Sequence, residues 1–212
     1  MSGYWRRLGL IGSAAGAAPW AVSHSALPAL SSRGDGQWDV YLSTRDGDGR
    51  ARIARGRLRL EPTPTIEDVE TSPVLDLGSL GTFDDRGVTM SSIVSAQGRQ
   101  YLYYTGWMLG VTVPFYLAAG LAISDDGGAT FHRRSQAPLL ERNESDPFLT
   151  ASPFVMRANR PSRRQPFAPA QRPNVLAPVP RGRARGSPVS SRFAAEYTTG
   201  TFAIRTRLCW CC

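Results

Sequence analysis

Lysine is missing altogether from this 212-residue chain, and histidine is down to two residues. All 25 basic side chains are therefore arginines, as a GC-rich coding sequence would give. Cysteine is confined to Cys209, Cys211 and Cys212 at the far end. A structural zinc site takes four ligands in paired spacing. This cluster has no histidine near it, so no metal site is expected, and no other cofactor. The terminal CWCC also lacks the aliphatic pair of a prenylation signal. Long apolar runs are absent too. Nothing approaches the roughly 20 residues of a membrane-crossing helix, so no membrane partner is expected. Arg6 and Arg7 precede a mild run made mostly of Gly and Ala, weak as the apolar centre of a secretory leader. A cytoplasmic chain is the expectation.

Acids are missing from one region only. Through Met156 the chain sets 14 Arg against 16 Asp and Glu, whereas from Arg157 on it has 11 Arg and a single acid, Glu196. The formal net charge of +8 thus belongs to the end of the chain. This divides it into a body, 1–156, and a basic Arg-, Pro-, Ala- and Ser-rich tail, 157–212, with neither alternation nor helical spacing. Three readings of the tail stand side by side. It is an arm that neutralises nucleic-acid phosphates, a disordered extension, or GC-rich DNA read out of frame. The last is preferred, because the change falls after SPFVMRAN, where another strand like GRQYLYYTG is due. Nucleic acid is accordingly not expected as a partner.

Within the body the sequence repeats. SPVLDLGSLGTFDDRGVTMSSIV (Ser72 to Val94) aligns with APLLERNESDPFLTASPFV (Ala137 to Val155). Pro73 falls on Pro138, Leu75 on Leu140, Asp85 on Asp146, Ser91 on Ser152 and Val94 on Val155. Units of this size, filled with short strands, bury core only against their neighbours. About four strands per unit indicate a β-propeller. One unit runs from about Ser25 to Val74, with strands at SALPAL, WDVYLSTRD, RARIARG and GRLRLE. A second runs from about Ser91 to Leu140, with SSIVSA, RQYLYYTGW, AAGLAIS and TFHRRS. Their alternation fits half-buried antiparallel strands, and GDGQ, GDGR and DDGG mark turns.

SDDGGATF (Ser124 to Phe131) resembles the Asp-box, S-x-D-x-G-x-T-[WF], which punctuates sialidase-type propellers. Its physical role is structural: Asp126 bonds backbone amides, Gly128 takes positive φ and Phe131 staples the unit. WRRLGL, SHSALP, VYLSTRD, GTFDDRGV, YLYYTGW, GLAISDDGGATF and SDPFLTASPFV, in that order, resemble the five-bladed propeller glycoside hydrolases of arabinanase, xylosidase and invertase type. The resemblance covers about Trp5 to Met156. It implies an all-β fold, a partial five-bladed β-propeller of about two and a half blades, to which the composition after Arg157 adds a disordered C-terminal tail. It also implies hydrolysis of a glycosidic bond in a small carbohydrate substrate, without a cofactor, by carboxylates that project into a central cavity.

Strand direction places the starts of inner strands and the ends of second strands on one face. Asp85 and Asp146, each ahead of an inner strand, are the candidate catalytic carboxylates. Arg45, Asp46, Trp107 and His24 are the candidate substrate-binding residues, with Trp107 offering a stacking face to a sugar ring. Each has a structural alternative. Asp85 and Asp146 could initiate turns, Arg45 and Asp46 could form a surface pair, Trp107 could be packing, and His24 a hydrogen-bonded structural residue. Departures from the resemblance also matter. The position matching Asp85 and Asp146 in the first unit is Ala21, and Glu144 in a loop is no assignment for a general acid. A chain with about half a ring is expected to be inactive, and a non-catalytic carbohydrate-binding or interaction propeller is the alternative function.

Overall fold

The computed structural model describes residues 7–157 and, for 202–206, the backbone alone. Ten strands follow in chain order: β1 (Ser23–Gly34), β2 (Gln37–Arg45), β3 (Ala51–Arg59), β4 (Thr65–Glu67), β5 (Gly87–Ala96), β6 (Arg99–Leu109), β7 (Phe115–Ser124), β8 (His132–Arg133), β9 (Pro153–Arg157) and β10 (Phe202–Thr206). Eight of them form one sheet in the order β1-β2-β3-β5-β6-β7-β8, with β4 added on β3. β9 and β10 make a separate antiparallel ribbon. The rest of the tail, and with it the choice among the three readings, lies outside the described residues.

The all-β expectation holds, but the propeller does not. In a propeller each unit is a sheet of its own around a central axis. Here β3 continues into β5 through the parallel pair Ala51↔Gly87, so the two repeats become halves of a single open, uncurled sheet. One boundary within the first repeat also differs. RARIARG and GRLRLE form one strand, β3, because a lone Gly56 between them is no turn. Gly56 instead allows the backbone of Glu67 in β4 to approach closely.

The repeat itself is visible in backbone pairing. Leu75 bridges to Ile53 of β3, and its counterpart Leu140 bridges to Ala119 of β7. Alternation along the strands separates two faces. Tyr41 and Ile53 from the first half join Met90, Leu102, Tyr104 and Ala122 from the second in a shared core. Val40 and Leu42 point the other way, against Ala14, Ala54 and Leu58. The segment ahead of β1 covers that outer face, where the Ile66 N–H donates to the Ile11 carbonyl at 2.8 Å. Tyr103 and Val94 meet Val155 of β9 in a third cluster. β1 is an irregular edge: shifts in its pairing coincide with positive φ at His24 (65°) and Leu27 (52°).

The β7–β8 turn is built around Asp126. Its Oδ1 accepts the backbone N–H groups of Ala129 and Thr130, both at 3.0 Å, and its Oδ2 accepts the Thr130 hydroxyl at 2.6 Å. Gly128 sits at φ 88°, and Phe131 meets Tyr41 edge-on at 5.8 Å. These local roles follow from the residue types. The Asp-box reading falls with the propeller, since the turn closes the last hairpin of one open sheet and punctuates no blades.

Candidate functional site

One row of paired residues crosses the sheet at the same strand end: Ser23↔Arg45, Arg45↔Ala51, Ala51↔Gly87, Gly87↔Trp107 and Trp107↔Leu117. His24, Arg45, Asp46, Asp85 and Trp107 therefore lie on this row or within two residues of it. Asp146 does not. It sits in the loop ahead of β9, where its N–H donates to Asn143 Oδ1 at 3.0 Å and its carbonyl accepts the Asn143 N–H at 3.1 Å. That loop returns to the same end, where the Ser152 N–H donates to Thr105 Oγ1 at 2.8 Å. With strands about 4.8 Å apart, the four steps from β1 to β6 separate His24 from Trp107 by roughly 19 Å. The predicted residues thus fall into two groups, Asp85 with Trp107 and His24 with Arg45 and Asp46.

The first group is built on the loop that enters β5. Asp84 is fully buried and accepts three side-chain bonds, from Tyr104 Oη at 2.9 Å, Arg133 Nε at 2.7 Å and Thr82 Oγ1 at 3.0 Å. Burial, with the Asp84 charge beside it, pushes the Tyr104 phenol far up. The Arg133 guanidinium also holds the Asp76 carbonyl. Loop, β6 and β8 are locked together through one carboxylate. Asp85 is placed by that lock but is not consumed by it. Its Oδ2 accepts the Gly81 N–H at 2.9 Å, while its Oδ1 is buried with no hydrogen-bond partner. Next to it, Arg86 Nε is also buried and unpartnered. The Arg86 backbone is fixed on both sides, its N–H donating to the Trp107 carbonyl at 3.2 Å and its carbonyl accepting the Ala51 N–H at 3.3 Å. The half-buried Trp107 indole lies over Gly87, where any Cβ would collide with it. Glycine is what lets the ring approach the backbone here.

Asp46 in the second group is committed to its own turn. It accepts the backbone N–H groups of Asp48 (3.0 Å) and Arg50 (2.9 Å), Arg50 Nε at 2.8 Å and Arg52 Nη1 at 2.7 Å. Burial alone would raise its carboxyl, but the Arg52 guanidinium and the Arg50 backbone and side chain override it and bring it down to about 2. Arg52 also reaches Asp76 at 2.6 Å, which ties the β2–β3 turn to the loop before β5. His24 is exposed, with Nδ1 at 2.9 Å from Ser23 Oγ, and Arg45 is exposed beside it.

Sequence reasoning passed over Arg86, the Asp84–Tyr104–Arg133 network and the arginines that hold Asp46. A signal existed for the last, since DGDGRAR sets Arg50 and Arg52 four and six residues after Asp46 on a tight turn. None existed for Arg133, which lies 49 residues from Asp84. Among the described residues no group of three or more His, Cys, Asp or Glu stands together to hold a metal ion. Among the same residues no helix is long and apolar enough to cross a membrane.

No family model matches the sequence. Two curated Mycobacterium tuberculosis proteins, MT1551 of strain CDC 1551 / Oshkosh and Rv1502 of strain ATCC 25618 / H37Rv, are each 40% identical to the chain over 153 residues. The match covers 72% of this chain and 51% of each relative, so the chain spans about half the length of the curated relatives it matches. Among solved structures, the chain is similar to Zg3597, a family 117 glycoside hydrolase produced by the marine bacterium Zobellia galactanivorans. The TM-score is 0.49 at 14% identity, over 62% of this chain and 44% of that one. A BT0996 RGII complex gives a TM-score of 0.48 at 16% identity, over 66% of this chain and 47% of the matched one. The assignment to the five-bladed arabinanase, xylosidase and invertase group is not upheld, because the strands form one open sheet.

Proposed function

We propose that the strand end at β5 and β6 is one wall of a saccharide site, in which Trp107 stacks on a sugar ring while Asp85 and Arg86 bond its hydroxyls. The observation that carries this reading is the pair of buried, unpartnered polar atoms, Asp85 Oδ1 and Arg86 Nε, beside a half-buried indole. Buried polar atoms are ordinarily bonded, because an unmet donor or acceptor costs about 1–3 kcal/mol. Both atoms are closed off from solvent, so sugar hydroxyls, which donate and accept, meet these needs only where the loop ahead of β5 shifts to admit them. The aromatic face takes the C–H face of the ring.

Binding is the part of this function that Asp85, Arg86 and Trp107 support. Glycosidic hydrolysis takes two carboxylates across the scissile bond, and Asp85 supplies one. Asp146, in a loop that returns to the same end, is the candidate for the other. In the full-length relatives the reading is a glycoside-hydrolase-like activity on a small saccharide, with non-catalytic binding as its alternative.

The test is calorimetric titration of the chain and of Asp85→Asn with neutral mono- and oligosaccharides. The variant is expected to lose about tenfold in affinity, as for a hydrogen bond to a charged group, at an unchanged melting temperature. Equal affinity in the two proteins, or no saccharide bound by either, overturns the proposal.

A further inference from the structure

A shallow cavity of about 350 Å³, wide open to solvent, lies beside the first half of the sheet, between Trp20 and the β2–β3 turn, lined also by Asp46, Asp48, Arg50 and Arg52. Its aromatic wall is fixed in advance. The Trp20 indole N–H donates to the Thr71 carbonyl at 2.7 Å, and the ring packs against the outer-face cluster. The polar wall is equally fixed. Asp46 and Arg52, with side chains 7% and 12% exposed, bond each other at 2.7 Å. Arg50 spends Nε on Asp46 and Nη2 on Asp48, and Arg52 spends Nε on Asp76. Arg50 Nη1 and Arg52 Nη2 carry none of these bonds.

The charge around this cavity does not favour an anion. Asp46, Asp48 and Asp76 stand against two guanidiniums that they already hold, so no positive charge is left over for a phosphate or carboxylate. What remains is a rigid indole face with oriented donors and acceptors at its side. That combination fits a neutral sugar ring, which presents C–H groups on one face and hydroxyls at its rim. Groups already held in place lose little entropy on binding. The cavity also adjoins the site above. Arg50 precedes Ala51, whose N–H donates to the Arg86 carbonyl.

We infer that the Trp20 cavity is a second saccharide subsite, so that the ligand is a neutral oligosaccharide running from Trp107 to Trp20 along the strand ends. This rests on the saccharide reading of Asp85, Arg86 and Trp107. The cavity lies at the β2–β3 turn, two to three strand spacings from β6, or roughly 10–14 Å along the row, which is more than one sugar ring spans and within reach of a short chain of rings.

The probes are xylose to xylopentaose, arabinose to arabinopentaose and glucose to cellopentaose, titrated into the chain and into Trp20→Ala, Trp20→Phe and Trp107→Ala. In the parent chain affinity is expected to rise with sugar length. Trp20→Ala should remove that rise, lowering pentasaccharide affinity roughly five- to tenfold, and leave monosaccharide affinity unchanged. Trp20→Phe keeps a ring in the outer cluster and should restore most of the rise, which separates stacking from a folding defect. Trp107→Ala should weaken every length. A length dependence untouched by Trp20→Ala, with Trp107→Ala still damaging, overturns the subsite and leaves the first site standing. No binding by the parent chain to any of these sugars, or no effect of Trp107→Ala, overturns the reading beneath it and the subsite with it.

Discussion

Asp84 and Asp85 are adjacent acids with opposite employment. Asp84 is fully buried and saturated by Tyr104, Arg133 and Thr82, whereas Asp85 keeps one oxygen without a partner. Replacing Asp84 by Asn strips the charge that holds Arg133 and is expected to cost about 2–4 kcal/mol in urea unfolding. A loss under about 0.5 kcal/mol, the range of an ordinary surface change, would show that the network is not what locks the loop. Asp46 and Asp126 make the second residue-scale expectation, an acid-sensitive fold. The Asp46 carboxyl is brought from its ordinary 3.8 down to about 2. For Asp126, burial pushes up but the Ser124 and Thr130 hydroxyls and the turn amides hold it lower still. With a depressed folded pKa, the unfolded chain takes up protons first as pH falls. The stabilisation from Asp46 is therefore complete above its unfolded pKa and lost between about pH 4 and pH 2. Melting temperatures measured from pH 6 to pH 2 should fall through that window, and Asp46→Asn should show a shallower fall from a lower starting point. Parallel curves for the two proteins would refute the assignment.

Among the elements, β9 itself is fastened to β5 by one side chain that bonds its backbone twice. Ser92 Oγ donates to the Pro153 carbonyl at 2.9 Å and accepts the Val155 N–H at 3.1 Å. The apolar support is small, Val155 against Val94 and Tyr103. Ser92→Ala leaves two buried backbone groups unmet and should cost about 1–3 kcal/mol locally. Hydrogen exchange of residues 153–157 is expected to accelerate while β6 and β7 remain protected. Uniform acceleration across all strands would mean instead that β9 unfolds only with the whole sheet.

For the whole molecule, the open sheet has a physical consequence. Its margins at β1 and β8 are not closed on each other, although the bulges of β1 blunt one of them. At the strand end that carries the candidate site, large apolar side chains also face solvent: Leu80 is 97% exposed, Val111 102% and Phe148 85%. They come from three different loops, ahead of β5, between β6 and β7, and ahead of β9. Apolar side chains left in water on a shared rim favour association. Sedimentation velocity across a hundredfold concentration range should show self-association, reduced in a Val111→Asp, Phe148→Asp double variant. A single concentration-independent monomer would contradict this.

Much of the local structure was legible in the order of residues. Period-two alternation in WDVYLSTRD and RQYLYYTGW, Gly-rich turns between them, and Asp126 with Gly128 in one turn each depend on neighbours within a few residues. Backbone sterics and amide bonding act on that range. The internal repeat was legible for the same reason, and Leu75 and Leu140 do make matching bridges. How the repeats join was not. Four strands per unit suit blades or halves of one sheet equally, and the choice rests on one backbone pair, Ala51↔Gly87, between residues far apart in sequence. The site divided along the same line. That Asp85 and Trp107 share a strand end followed from strand direction. That Asp84 would be consumed by Arg133, Asp46 by Arg50 and Arg52, and that Trp20 would wall a cavity depended on tertiary packing. Only packing brings such groups within bonding distance and excludes water from around them, and that burial decides which carboxylates are spent and which keep an oxygen without a partner.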